Sequence, residues 1–163
     1  PVRLDPTAVL PTGLAAERAD RAPAPQLRPQ PRLADLESLV EDVRSSGQHV
    51  ELSQTGPACE VVPGLELAAY RIVQESLTNV LKHAGPGVKT QISLRWSAEA
   101  LRIEVVDDGR GAGAAVLSDG RGMGLMGMQE RASVFGGSVR AAPVVGGGFR
   151  VEATLPLLSD LAD

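Results

Sequence analysis

The sequence has few aromatic residues, a single cysteine and no long apolar run. Phe, Trp and Tyr make up only 2% of the 163 residues, so aliphatic side chains must build the core. Cys59 is the single cysteine, which excludes an internal disulfide and fits a reducing compartment; we interpret it as a structural residue. No apolar run approaches the ~18 residues of a membrane span, and no leader peptide is visible. We therefore expect a soluble, cytoplasmic domain that makes no membrane contact through this segment.

Basic residues are also too scattered to form a binding stripe. The formal net charge is −4, and the 16 Lys and Arg side chains form no run. A protein that neutralises phosphates along a nucleic acid needs a basic patch, so nucleic acid is excluded as the main partner.

Prolines are concentrated at the start of the chain, where seven of the twelve lie within residues 1–31. Proline cannot donate to a helix or a sheet, so we expect residues 1–32 to be a linker or N-terminal arm. The spacing of apolar residues then predicts a domain over 33–157, and we expect residues 158–163 to be a frayed tail.

The patterns within 33–157 predict a definite order of elements. "LADLESLVEDVRSSG" and "VPGLELAAYRIVQESLTNVLKHAG" have apolar residues at helical spacing, whereas "HVELSQTG", "VKTQISLRWS" and "LRIEVVDD" read as strands. "LMGMQERASVFGG" predicts a further helix, and "SVRAAP" and "GGFRVEATLPL" predict two more strands. This order favours an α+β two-layer sandwich, a mostly antiparallel mixed sheet with its helices packed on one face.

One face of the long helix carries polar residues that suit phosphate chemistry. Glu75, Asn79 and Lys82 are spaced at i, i+4 and i+7, and His83 adjoins them. The Asn79 amide can ligate Mg²⁺, Lys82 can neutralise phosphate oxygens, and Glu75 can accept a proton or order a water. An exposed polar face with a Glu/Lys pair explains the same residues, and taken alone it is the better explanation.

A glycine-rich stretch, "DDGRGAGAAVLSDGRGMGLMGMQER", follows the third predicted strand. Asp107 at the strand end can accept a hydrogen bond from an exocyclic amine such as that of adenine, and Gly109 and Gly111 allow close approach to a flat base. Gly122 and Gly124 precede or open a helix, where free N–H groups favour phosphate. Neither a Walker-type run nor a dinucleotide fingerprint is present, so another nucleotide fold is needed.

Taken in order, these motifs resemble the Bergerat-fold ATPases: gyrase, Hsp90-type chaperones, MutL and the histidine kinases. "ESLTNVLKHAG" resembles their N box, "DDGRG" their D-x-G-x-G box and "GMGLMGM" their G2 box. "YRIVQESLTNVLKHA" with "GLMGMQERASVFGG" is similar to the catalytic ATP-binding domain of two-component sensor kinases of the nitrate-sensor (NarX-like) class. The resemblance covers roughly residues 33–157.

The resemblance implies ATP and Mg²⁺ as cofactors and a role for each matching residue. Asp107 would hold the adenine amine, Asn79 would ligate Mg²⁺, Lys82 and His83 would contact phosphate oxygens, and Glu75 would lie at the general-base position. Gly109 and Gly111 would shape the pocket, and Thr154 would lie near the base. Residues 112–121 would form a mobile lid, closed by Gly122, Gly124 and Leu125.

A sensor kinase also needs a phosphoacceptor histidine on a dimerisation domain, and neither His49 nor His83 has the required sequence context. We therefore expect a cytoplasmic fragment, monomeric alone, that cannot autophosphorylate unaided and acts with an acceptor domain and a downstream response regulator. The fragment could belong to a membrane-anchored sensor. Two alternatives stay open: a protein serine kinase of the anti-sigma-factor type with the same fold, and a non-catalytic nucleotide-binding interaction module.

Overall fold

The chain folds around a five-stranded sheet, and a computed structural model describes residues 28–110 and 123–157. A 3₁₀ turn, Leu33–Asp35, leads into helix α1, Leu36–Ser45, which buries one apolar side. Strand β1, His49–Thr55, follows. Both elements agree with the predicted helix and strand. The expected tail and most of the expected N-terminal arm lie outside the described residues, so the domain bounds remain predictions.

The long predicted helix has two parts. Helix α2, Pro63–Asn79, begins with proline in its first turn, where the missing N–H has no helical partner to lose. The turn that follows α2, Val80–Ala84, is a π-helix, whereas the apolar spacing predicts a regular α-helix to the end. Gly85 ends the helix with φ of 93°, a conformation that favours glycine, and Pro86 has no N–H to extend it.

The remaining elements complete the sheet. They are β2, Lys89–Trp96; β3, Ala100–Asp107; helix α3, Met123–Ser133; β4, Ser138–Pro143; and β5, Phe149–Pro156. The strand order is β1-β2-β3-β5-β4, with β1 parallel to β2 and every other neighbouring pair antiparallel. The predicted α+β architecture, a mostly antiparallel mixed sheet, is therefore confirmed.

The two faces of the sheet differ in chemistry. Alternate residues of β2, β3 and β5, such as Ile92, Ile103 and Ala153, are buried against the helices in one core. The opposite face carries charged side chains, and Glu104 lies 3.9 Å from Arg95 and 3.6 Å from Arg150. An antiparallel sheet with one solvated face is the arrangement expected of a two-layer sandwich.

The two ends of the sheet carry different residues. At one end, the start of β2 lies beside the end of β3, so Thr90 is paired with Asp107. At the other end, the hairpin between β2 and β3 lies near Val62, Phe135 and Leu157 around an apolar groove. Within the described part of the chain, no helix has the length and apolar character needed to cross a membrane.

Candidate active site

Asp107 is a buried carboxylate at the end of a strand. The alternation of β3 places Leu101, Ile103 and Val105 in the core, and Asp107 continues on that face with 8% exposure. Its Oδ1 accepts a hydrogen bond from the Gly109 N–H at 2.9 Å. The strand therefore holds this side chain under the helical layer and not in solvent.

The surroundings of Asp107 disfavour its charged form. Burial raises the pKa of Asp107, and the neighbouring charge of Asp108 raises it further. Hydrogen bonds from the backbone N–H groups of Gly109 and Phe149 act in the opposite direction and lower that pKa, but burial prevails. A donor group of a ligand that met this carboxylate would stabilise its ionised form.

Asp108 has a structural role in the adjoining turn. Its Oδ1 accepts a hydrogen bond from the Lys89 N–H at 2.8 Å, and its own N–H donates to the Lys89 carbonyl at 3.1 Å. The two aspartates are thus separated by function: Asp107 faces the helices, whereas Asp108 is exposed and fixes the β3 end to β2.

Glycine permits two close approaches around Asp107. A Cβ atom on Gly109 would lie 2.7 Å from the Ala84 Cβ and 2.8 Å from the Ala84 carbonyl oxygen. A Cβ atom on Gly148 would overlap the carbonyl oxygen of Asp107. The first contact brings the loop after β3 against the end of the long helix, next to His83.

Glu75 and Asn79 lie half-buried on α2, four residues apart and so on the same side of the helix. A Cβ atom on Gly124 would lie 2.5 Å from Oε1 of Glu75, so Gly124 leaves the space that this carboxylate occupies. None of the ion pairs among residues 28–110 and 123–157 involves Glu75.

Lys82 and His83 lie in the π-helical turn, Lys82 exposed and His83 half-buried. Single π-helical turns are frequent at functional sites. Gln48 fixes the loop that follows: its Nε2 donates to the Gly85 carbonyl at 3.0 Å, and its Oε1 accepts from the Val88 N–H at 2.9 Å.

The remaining predicted residues have different outcomes. Gly111, Gly122 and the expected lid, 112–121, lie outside the described residues. Leu125, expected to close the lid, is in α3 and packs partly buried against the core.

Thr154, which the resemblance places near the base, lies far from Asp107, the residue expected to hold that base. Thr154 is paired with Arg102, whereas Asp107 is paired with Phe149, five residues away along β5. Because side chains alternate along a strand, Thr154 also lies on the charged face of the sheet, among Ser93, Arg102 and Glu152. The structure therefore does not bring Thr154 to the site.

Several residues of this region were missed by sequence reasoning. Neither the small size of Ala84 nor the position of Gly148 before the last strand was a signal in itself. Gln48 and Thr90 are buried polar residues near strand starts, and no motif marks them.

Cys59, interpreted as a structural residue, is exposed and lines the apolar groove at the other end of the sheet.

This end of the molecule thus combines a buried carboxylate with a polar helix end. Asn79 and Glu75 offer oxygen atoms of the kind that Mg²⁺ prefers, and Lys82 offers a positive charge. The described residues contain no cluster of three or more His, Cys, Asp or Glu that could hold a metal alone. A metal here would need oxygens from its ligand, as Mg²⁺ commonly takes from phosphates.

Comparison with known proteins identifies the family. Residues 64–159 match the model of the histidine kinase-, DNA gyrase B- and HSP90-like ATPases, so the chain belongs to this family. The match includes nearly all of α2, the end of β3 with Asp107 and the start of α3.

Two curated relatives are sensor histidine kinases of Bacillus subtilis. YxjM is 34% identical over 129 residues, which are 78% of this chain and 30% of that protein. LnrJ is 31% identical over 126 residues, which are 77% of this chain and 30% of that protein. The chain therefore spans less than a third of either relative.

The fold also matches solved structures. The histidine kinase domain of a blue-light activated kinase from Erythrobacter litoralis superimposes with a TM-score of 0.64 at 23% identity, covering 76% of this chain and 60% of that chain. This similarity supports the α+β architecture.

Proposed function

We propose that the chain binds Mg·ATP and presents the γ-phosphoryl group to a histidine on a separate dimerisation domain. The observation that carries this proposal is the approach of Gly109 to Ala84, which places the loop of the buried Asp107 against the polar end of the long helix. A base recognised at Asp107 would then extend its phosphates toward Asn79 and Lys82.

Each residue has a role in this proposal. Asp107 accepts the hydrogen bond of the adenine amine, beside Gly109 and Gly111. The Asn79 amide oxygen holds Mg²⁺, which when bound neutralises phosphate charge, while Lys82 and His83 contact phosphate oxygens. Glu75 orders a water or accepts a proton. Phosphoryl transfer depends mainly on such positioning and charge neutralisation.

The acceptor histidine must come from another domain or chain. His49 is exposed on β1, an edge strand, and His83 lies in the π-helical turn of the site itself. We therefore propose that the isolated chain is a cytoplasmic monomer that does not autophosphorylate, and that a response regulator receives the phosphoryl group. The motifs around Asn79 and Met128 also favour the nitrate-sensor (NarX-like) class.

Calorimetric titration with Mg·ATP and Mg·ADP tests the binding step. We expect wild type to bind both nucleotides, Asp107→Asn to lose most affinity, and Asn79→Ala to lose the Mg²⁺-dependent part. If wild type binds no adenine nucleotide, the nucleotide-binding proposal is wrong.

Transfer is tested by adding radiolabelled ATP and a separately purified dimerisation domain of a sensor kinase. We expect label on the histidine of that domain only when wild-type chain is present. Nucleotide binding without transfer to any histidine would favour the non-catalytic interaction module, and label on a serine of a partner protein would favour the anti-sigma-factor type.

A further inference from the structure

Thr90 carries a buried hydroxyl that makes no hydrogen bond within the described residues. Its side chain is 1% exposed, and Oγ1 has no hydrogen-bond partner within residues 28–110 and 123–157. The other such atom in those residues, Nε1 of Trp96, lies at the opposite end of β2. Burying a hydroxyl without a partner is unfavourable, so its retention points to a partner that binds there.

The position of Thr90 identifies the neighbour of this hydroxyl. Thr90 is the cross-strand partner of Asp107, and both side chains face the helical layer. The backbone hydrogen bond from Asp108 to Lys89 belongs to the adjacent pair, so Thr90 and Asp107 form a non-hydrogen-bonded pair. In such pairs the Cα atoms are only about 4.5 Å apart and the side chains approach closely.

We propose that Thr90 is a specificity-determining residue that reads the Watson–Crick edge of adenine together with Asp107. This inference rests on the proposed function. The edge presents an amine next to an acceptor, the ring N1. A carboxylate accepts from the amine, and a hydroxyl beside it donates to N1, directly or through one water. Guanine presents a carbonyl oxygen in place of the amine and would face the Asp107 carboxylate unfavourably.

The test compares Mg·ADP binding to wild type and Thr90→Val by calorimetry. Loss of one hydrogen bond should weaken binding between about 2-fold and about 12-fold. The melting temperature without nucleotide should not fall, because valine removes an unpaired hydroxyl while keeping the shape. A role limited to folding would give the opposite result, a lower melting temperature with unchanged affinity.

A nucleotide analogue locates the bond. 1-Deaza-ADP lacks the ring N1, so wild type and Thr90→Val should bind it equally, whereas they should differ for ADP. Thr55→Val, in an exposed position of β1 at the other end of the sheet, is the matched control and should bind ADP as wild type does.

The outcomes separate this inference from the proposed function. If Thr90→Val binds ADP as tightly as wild type does, the inference is overturned and nucleotide binding stands. If wild type binds no adenine nucleotide, both are overturned. Should Thr90→Val fail to fold, Thr90→Ser and Thr90→Ala replace it: serine should retain affinity and alanine should lose it, and equal affinities would overturn the inference.

Discussion

At the scale of single residues, the buried carboxylate of Asp107 makes the sharpest prediction. Asp107→Asn keeps the acceptor for the Gly109 N–H but presents a donor-bearing amide to an adenine amine. Because hydrogen bonds to charged groups contribute about 1.5–3 kcal/mol, we expect ATP affinity to fall between about 10-fold and about 150-fold. Calorimetry measures the loss, and unchanged affinity would remove Asp107 from the site.

The same residue predicts how stability depends on pH. Burial raises the pKa of Asp107 in the folded state, so the folded protein binds more protons than the unfolded chain between the two pKa values. Stability therefore falls as pH rises through that window. Without nucleotide, Asp107→Asn should melt higher than wild type near neutral pH, and the difference should shrink on acidification. A difference that is constant with pH would contradict this cause.

Gly109 is predicted to be irreplaceable for steric reasons. In Gly109→Ala the new Cβ would meet Ala84 at 2.7 Å, and the Ala84 backbone cannot yield as a flexible side chain would. We expect a loss of about 1–3 kcal/mol in the free energy of unfolding, measured by urea denaturation. Gly127→Ala in α3 is the control: its Cβ meets only the end of Arg131, and removing a helical glycine should stabilise by about 0.5–1 kcal/mol.

At the scale of elements, the loop after the π-helical turn depends on Gln48. Replacing Gln48 by leucine leaves the Gly85 carbonyl and the buried Val88 N–H without their partners. We expect a loss of about 1–3 kcal/mol in the free energy of unfolding, because an unsatisfied buried donor is costly. Gln91→Leu, at an exposed position of β2, should change stability by less than about 0.5 kcal/mol. Equal effects of the two variants would contradict the role of Gln48.

Elements also show where sequence reasoning succeeds and where it stops. The strands and helices follow from periodicity, because apolar alternation and helical spacing record which side is buried. The π-helical turn Val80–Ala84 does not, since its apolar residues fit an α-helix equally well. The orientation of Thr154 does follow from periodicity: Val151, Ala153 and Leu155 are the apolar set of β5, so Thr154 must face away from them.

At the scale of the whole molecule, the site is assembled by contacts between segments that are distant in sequence. Gly109 meets Ala84, Gly124 meets Glu75, and Gly148 meets Asp107. The order of the motifs along the chain predicts that the segments carrying them lie close together. Which of their atoms are in contact depends on the register of the sheet and on the packing of α3 against α2. The pairing of Thr90 with Asp107 likewise depends on the register of β2 and β3, which no sequence motif gives.

The whole molecule also predicts which part of the chain folds by itself. All paired strands and all core residues of the described part lie between Leu33 and Leu157. A chain cut to residues 28–157 should therefore melt within about 2 °C of the full chain in calorimetry. A chain cut to residues 38–157 is the comparison, because it loses Leu36, which is 2% exposed in the core.

Loss of a buried leucine costs about 2–5 kcal/mol, so the shorter chain should melt lower by about 5 °C or more. A large loss already at 28–157 would show that residues 1–27 or 158–163 contribute to the fold, and the boundaries at 33 and 157 would then be wrong. Equal melting of all three chains would instead show that the start of α1 contributes little, against the burial of Leu36 in the core.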